Sequence, residues 1–192
     1  LMIVTNPVDI MTYVAFQESG FPRSRLFGMG NILDTMRFRT YIADEMHVSR
    51  EDTSALVIGE HGDSMVPLVE YAAVSGIPIT NFLSQTQIEK ILHLTVSSGA
   101  DVIKLKGSTI YAPGAVIATT ADAILTGRDR VMSVSTCLNG EYGFSDVSIG
   151  APVVLGKEGV EKIIELELSS QSRERFAKSV AVVKEALAML KS

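Results

Sequence analysis

Leu1-Met2-Ile3-Val4-Thr5-Asn6-Pro7-Val8-Asp9 opens the chain as a β-type run that passes straight into a helix start. Asn6 reads as the N-cap and Pro7 as the first helical residue. Asp9 follows three after the cap, where a carboxylate meets the positive end of the helix dipole. The helix is predicted to run to about Ser19, with Gly20 as its stop. A turn at Phe21-Pro22-Arg23 leads to a short strand, Arg25-Leu26-Phe27-Gly28. Asn31-Ile32-Leu33-Asp34 then repeats the cap-and-acid pattern and opens a second helix through about Glu45. Strand–helix–strand–helix in this order points to an α/β fold. A strand at residue 1 carries the expectation that more chain precedes it in the whole protein.

Further along, residues 55–58 read as a strand and 66–74 as another, closed by Gly76. Residues 85–105 read as a helix that Gly99 is expected to kink or break. Residues 112–125 form a helix whose alanines (Ala115, Ala118, Ala121, Ala123) permit close packing on a neighbour. Residues 131–138 alternate and are rich in β-formers. The arms 152–156 and 163–168 flank Gly156-Lys157-Glu158-Gly159, a hairpin signal, with Ile164, Leu166 and Leu168 on one face of the second arm. A final helix places Phe176, Val180, Val183, Leu187 and Leu190 on one stripe.

At 192 residues, 46% apolar and 20% charged, the chain has an ordinary globular composition and enough length for a sizeable core. Its net charge of −5 argues against nucleic acid as a partner. No apolar run approaches the roughly 20 residues of a membrane span, and no signal peptide opens the sequence. The single cysteine, Cys137, suits a reducing cytoplasm. With three scattered histidines beside it, no metal site is expected.

The most reactive-looking segment is Gly59-Glu60-His61-Gly62-Asp63-Ser64, a glycine-flanked polar turn at the end of the 55–58 strand. Imidazole exchanges protons near neutrality, so a histidine presented there is a candidate acid–base group. His47 and His93 lack such surroundings and read as solvated. Asp34 and Arg37 share a helix face. Asp34 is suited to orient an imidazolium and Arg37 to clamp a carboxylate; the alternative is a capping box with a surface ion pair. Arg39, two residues on, reads as structural. Asn6, at a strand's C-terminal end, is either a ligand contact or simply the helix cap. Gly28-Met29-Gly30 lacks the third glycine of a dinucleotide loop, because Leu33 stands in its place. His61, Asp63 and Ser64 hold the ingredients of a hydrolase, yet no G-x-S-x-G elbow accompanies them.

In order and separation, Val4-Thr5-Asn6-Pro7-Val8-Asp9, Gly30-Asn31-Ile32-Leu33-Asp34-Thr35-Met36-Arg37-Phe38-Arg39 and Gly59-Glu60-His61-Gly62-Asp63-Ser64 resemble the lactate/malate dehydrogenase family. Gly140-Glu141-Tyr142-Gly143 and Gly150-Ala151-Pro152 resemble its later strands. The resemblance covers the whole chain and corresponds to the family's carboxyl-terminal portion. It implies the last strand–helix units of a Rossmann sheet over residues 1–30, then a mixed antiparallel-sheet and helix substrate domain over 31–192. The upstream Gly-rich loop and the mobile substrate-closing loop are expected outside this sequence.

The resemblance further implies a reversible hydride transfer between NAD(H), with NADP not excluded, and a small 2-hydroxy/2-oxo acid. That acid is expected to be malate/oxaloacetate, with lactate/pyruvate as the alternative. His61 matches the proton carrier, Asp34 its orienting acid and Arg37 the carboxylate clamp. Asn6 matches the residue bridging nicotinamide and substrate. Val4, Thr5, Leu33 and Pro113 would lie against the cofactor, and Thr109 would shape the rear of the substrate pocket. Self-association to a dimer or tetramer is implied as well. A reading of another class is a truncated, non-catalytic, oligomerising half of such an enzyme.

Overall fold

The structure, a computed structural model, describes residues 1–190. The first strand is shorter than its apolar run: β1 is Met2–Ile3, half-buried, with Leu1, Val4, Thr5 and Asn6 exposed. Helix α1 (Val8–Ser19) follows and ends at Gly20, whose left-handed φ of 68° suits a residue without Cβ. Pro7 occupies the cap, and no side chain caps the helix, so the expected Asn6 cap is absent. Strand β2 (Phe27–Gly28) lies parallel to β1, as a strand–helix–strand unit requires. Helix α2 (Asn31–Met46) starts one residue earlier than a cap at Asn31 would allow, with Gly30 as N-cap.

Short strands β3 (Thr53–Ser54), β4 (Val57–Ile58), β5 (Val66–Pro67), β6 (Ala73–Val74) and β7 (Ile77–Pro78) come next. The single strand expected over 66–74 is split by a 3₁₀ turn, Val69–Tyr71. Its two ends serve different sheets: β5 pairs with β4, while β6 pairs with β3 and β7. Helix α3 (Gln85–Lys106) opens on a capping box between Ser84 and Gln87. It runs unbroken through Gly99, contrary to the expected kink. Gly99 has another use: a Cβ there would sit 3.3 Å from Nη1 of Arg37, so the missing side chain makes room for the guanidinium. Helix α4 (Tyr111–Thr126) buries Val116, Thr120 and Ala123.

Strands β8 (Arg130–Asn139), β9 (Ser145–Gly156) and β10 (Gly159–Ile163) form an antiparallel meander that joins β1 and β2 in one five-stranded sheet, ordered β1-β2-β8-β9-β10. The hairpin at Gly156-Lys157-Glu158-Gly159 forms, but its second arm is β10 and ends at Ile163. Residues 164–168 alternate as expected without pairing as a strand. Leu166 and Leu168 instead cover the core beside the last helix, α5 (Ser170–Met189). Leu190 lies past that helix and is exposed, so the apolar stripe stops at Leu187.

The buried apolar residues form three clusters. In one, Ile10 and Tyr13 of α1 meet Phe176, Val180, Val183 and Leu187 of α5 over Val147 and Ile149. Another cluster joins Ile32 and Leu33 of α2 with Val116 of α4 over Met132, Val134, Val153 and Leu155. A third, around Phe38, Ile42, Ile88 and Ile91, locks α2 to α3. Burying each of these large side chains contributes about 1.5–3 kcal/mol. Among the described residues no helix is long and apolar enough to cross a membrane.

Candidate active site

Three elements converge on His61. The turn that carries it leaves β4 at Gly59, whose φ of 88° is again a left-handed conformation that favours glycine. Gly59 and Gly150, the latter in β9, exchange backbone hydrogen bonds of 2.9 and 3.0 Å, which pin the turn to the middle of the sheet. Both positions are crowded. A Cβ on Gly150 would lie 2.1 Å from Asn31 Oδ1 and 2.5 Å from the Gly59 carbonyl oxygen. Asn31, expected as a helix cap, is fully buried and donates its amide to that same carbonyl at 3.0 Å.

Helix α2 supplies the acid and the guanidinium. Asp34 is completely buried, and its Oδ2 lies 2.6 Å from Nδ1 of His61. Its Oδ1 accepts a 3.1 Å hydrogen bond from Arg37 Nη1. The capping-box alternative therefore fails, since Asp34 caps nothing and sits between the two groups it was expected to serve. With Nδ1 held by the carboxylate, Nε2 is the imidazole atom left to exchange a proton. Among the described residues Arg37 Nη2 and Nε have no hydrogen-bond partner, which leaves part of the fork for an incoming anion. Burial pulls the His61 pKa down, but the hydrogen bond and charge of Asp34, with the charge of Asp9, more than offset this. The net result lies above the ordinary imidazole value.

Helix α1 supplies a residue whose role the sequence did not reveal. Asp9, 3% exposed, accepts the backbone N–H of His61 at 2.7 Å through Oδ2 and the hydroxyl of Ser135 at 2.5 Å through Oδ1. Burial pushes its pKa up to about 6, against the opposing pull of those two hydrogen bonds. As a first-turn acid, Asp9 looked like an ordinary dipole partner, and its spacing carries no trace of a contact 52 residues away.

Gly30 explains why Gly28-Met29-Gly30 mimics a phosphate loop. A Cβ on Gly28 would strike Thr12 Oγ1 at 2.2 Å; on Gly30 it would meet Cβ and Cγ of His61 at 2.7 and 2.9 Å. The glycines admit neighbours, and Gly30 admits the imidazole itself. Gly30→Ala is expected to lower stability by about 1–3 kcal/mol, read from urea denaturation midpoints. A midpoint equal to that of the unmodified protein would show that the turn yields freely.

The other expected residues are placed as follows. Asn6 is exposed at the C-terminal end of β1, beside Val4 and Thr5 and one turn of chain ahead of Asp9. Leu33 is buried in the cluster under α4, so little of its surface is open to a ligand. Thr109 is half-buried just before α4 and Pro113 half-buried in its first turn. Neither has a hydrogen bond to His61, Asp34 or Arg37 among the described residues. Arg39 is structural, donating to the carbonyls of Thr53 and Arg50 at 2.8 and 2.7 Å. His47 and His93 are exposed. Ser64 donates to Glu60 at 2.5 Å and lies 3.0 Å from Ser179, away from the imidazole, which removes the geometric basis of a hydrolase.

A family model for the lactate/malate dehydrogenase alpha/beta C-terminal domain matches residues 32–192. The malate dehydrogenase of Halalkalibacterium halodurans is 42% identical over 192 residues, covering 99% of this chain and 61% of the relative. That of Chlorobium phaeobacteroides is 43% identical over 187 residues, covering 96% of this chain and 60% of its own length. Among solved structures, the malate dehydrogenase from Salinibacter ruber superposes with a TM-score of 0.96 at 43% identity, covering 99% of this chain and 63% of that one. The apo form from Picrophilus torridus gives 0.93 at 41%, with 98% and 60% covered. The chain thus spans about three-fifths of the length of the relatives it matches. In sequence, in fold and in the alpha/beta architecture of residues 32–192, this chain belongs to the lactate/malate dehydrogenase family.

Proposed function

We propose that this chain is the catalytic, substrate-binding portion of an NAD-dependent malate dehydrogenase. The observation that carries the reading is the buried line Arg37–Asp34–His61, in which one carboxylate touches both a guanidinium and an imidazole. Residues 1–30 would complete the nucleotide-binding sheet, and 31–192 would form the substrate domain. The exposed backbone of Val4 and Thr5 and the amide of Asn6, at the C-terminal end of a strand in a parallel pair, suit the nicotinamide end of the cofactor. Leu33 and Pro113 would add apolar contacts there. When bound, the nicotinamide supplies or accepts the hydride.

The protein's own share is placement and charge. Arg37 engages the substrate carboxylate with the free part of its fork, and Thr109 closes the rear of the pocket. With the carboxylate fixed, the carbonyl carbon is oriented for reaction. Negative charge developing on the carbonyl oxygen is met by the proton on Nε2 of His61. Asp34 holds the opposite ring nitrogen and keeps the imidazole protonated. In the reverse direction the same Nε2 takes the hydroxyl proton.

Malate is favoured over lactate because the similar proteins are malate dehydrogenases. Exposed Ile103 and Leu105 on α3, Ile110 just before α4 and Leu125 on α4 support self-association to a dimer or tetramer. Cys137, buried and unpaired, suits the reducing cytoplasm. The test is NADH oxidation by the full-length protein, with light scattering on the same sample. Turnover with oxaloacetate well above that with pyruvate, at a mass of two or four protomers, is the expected result. Preference for pyruvate would move the assignment to lactate. NADH oxidation by the 192-residue chain alone would overturn the reading of it as a non-catalytic half.

A further inference from the structure

We propose that Asp9 is a positioning residue for His61: its carboxylate fixes the turn that carries the imidazole and sets a second negative charge beside it. This rests on the proposed role of His61 as the proton carrier. A carboxylate 3% exposed is an expensive way to hold one backbone N–H and one serine hydroxyl, since an amide could accept from the first and donate to the second without a charge to desolvate. Among the described residues no arginine or lysine forms an ion pair with Asp9; the cation acting on it is the His61 imidazolium. The imidazolium is thus flanked by two buried carboxylates, Asp34 through its ring nitrogen and Asp9 through its backbone.

The charged groups facing this pair are Asp34 and Arg37 from α2 and Glu60 from the turn itself. The sheet and α5 bring hydroxyls: Ser135 on Asp9, Ser148 3.0 Å behind Ser135, and Ser179 accepting the Glu60 backbone N–H at 2.7 Å. Asp9 also ties the site together mechanically. It stands in the first turn of α1, immediately after the exposed Val4-Thr5-Asn6 segment, and holds both the His61 turn and β8. A shift of that segment on binding a ligand would be transmitted to His61 through this one side chain.

The chain has three histidines, so the His61 ring signals can be followed by NMR across a pH series and assigned with His47→Gln and His93→Gln. In Asp9→Asn the side-chain oxygen can still accept the His61 N–H, but the charge is gone. The His61 midpoint is expected to move to lower pH. In the full-length enzyme, kcat/KM for oxaloacetate should fall about five- to tenfold above pH 7 and stay within about twofold below pH 6. Ser135→Ala keeps Asp9 and withdraws its second hydrogen bond; it should shift the midpoint the same way by less, and it carries the test if Asp9→Asn does not fold. An unmoved His61 midpoint in the variants that fold overturns the proposal. The NMR reading needs no turnover, so a protein inactive towards oxaloacetate would sink the dehydrogenase assignment while the coupling of Asp9 to His61 is judged separately.

Discussion

His61→Ala in the full-length protein is expected to reduce the rate of oxaloacetate reduction by about 10²–10⁴-fold, the usual worth of a positioned acid–base group. That is about 3–5 kcal/mol of barrier. The loss should appear in kcat, because the proton on Nε2 matters most when charge reaches the carbonyl oxygen. NADH affinity should stay nearly constant, since the exposed Val4–Asn6 segment and the imidazole occupy different elements, β1 with its following loop and the turn after β4. Stopped-flow reduction with parallel fluorescence titration of NADH separates the two effects. Retained turnover would remove His61 from the chemistry and leave its hydrogen bond to Asp34 as a purely structural one.

Arg37→Lys is expected to raise KM for oxaloacetate about ten- to hundredfold, the worth of one charge-assisted hydrogen bond of about 1.5–3 kcal/mol. The substitution preserves charge and can preserve a contact with Asp34 one turn away. It loses the planar fork. It also vacates the space against Gly99, which α3 leaves open for the guanidinium. A compact ammonium there would meet a carboxylate at a point and leave its orientation loose, so kcat should fall as well. Steady-state kinetics with oxaloacetate settle the matter, and unchanged parameters would refute the clamp.

Much of this architecture was legible in the residues because local signals and tertiary structure agree. The strand-to-helix passage after Ile3, the left-handed stop at Gly20 and the hairpin around Gly156-Lys157-Glu158-Gly159 are all short-range. Asp34 and Arg37 share a face by helical geometry alone, so their pairing could be anticipated. What misled was chemistry that reads locally but acts at long range. Asn6 and Asn31 have the form of helix caps, yet neither caps; Asn31 turns inward to the Gly59 carbonyl. Gly99 looked like a helix breaker because propensity knows nothing of a guanidinium packed against the backbone. The run 66–74 has uniform β character, and nothing in it announces that its two ends join different sheets. Asp9 was hidden most completely, because its partners come from a distant turn and from β8.

The paired hydrogen bonds between Gly59 and Gly150 have a consequence for how the protein ages under heat. Both amide protons are sealed inside the sheet, and neither can exchange with solvent unless β9 parts from the His61 turn. Slow deuterium uptake at these two amides would therefore report the integrity of the site directly. Because the turn hangs on a central strand rather than on a free loop, it has no private way to come loose. Thermal inactivation and melting of the sheet should then share one temperature, with no inactive but folded species between them.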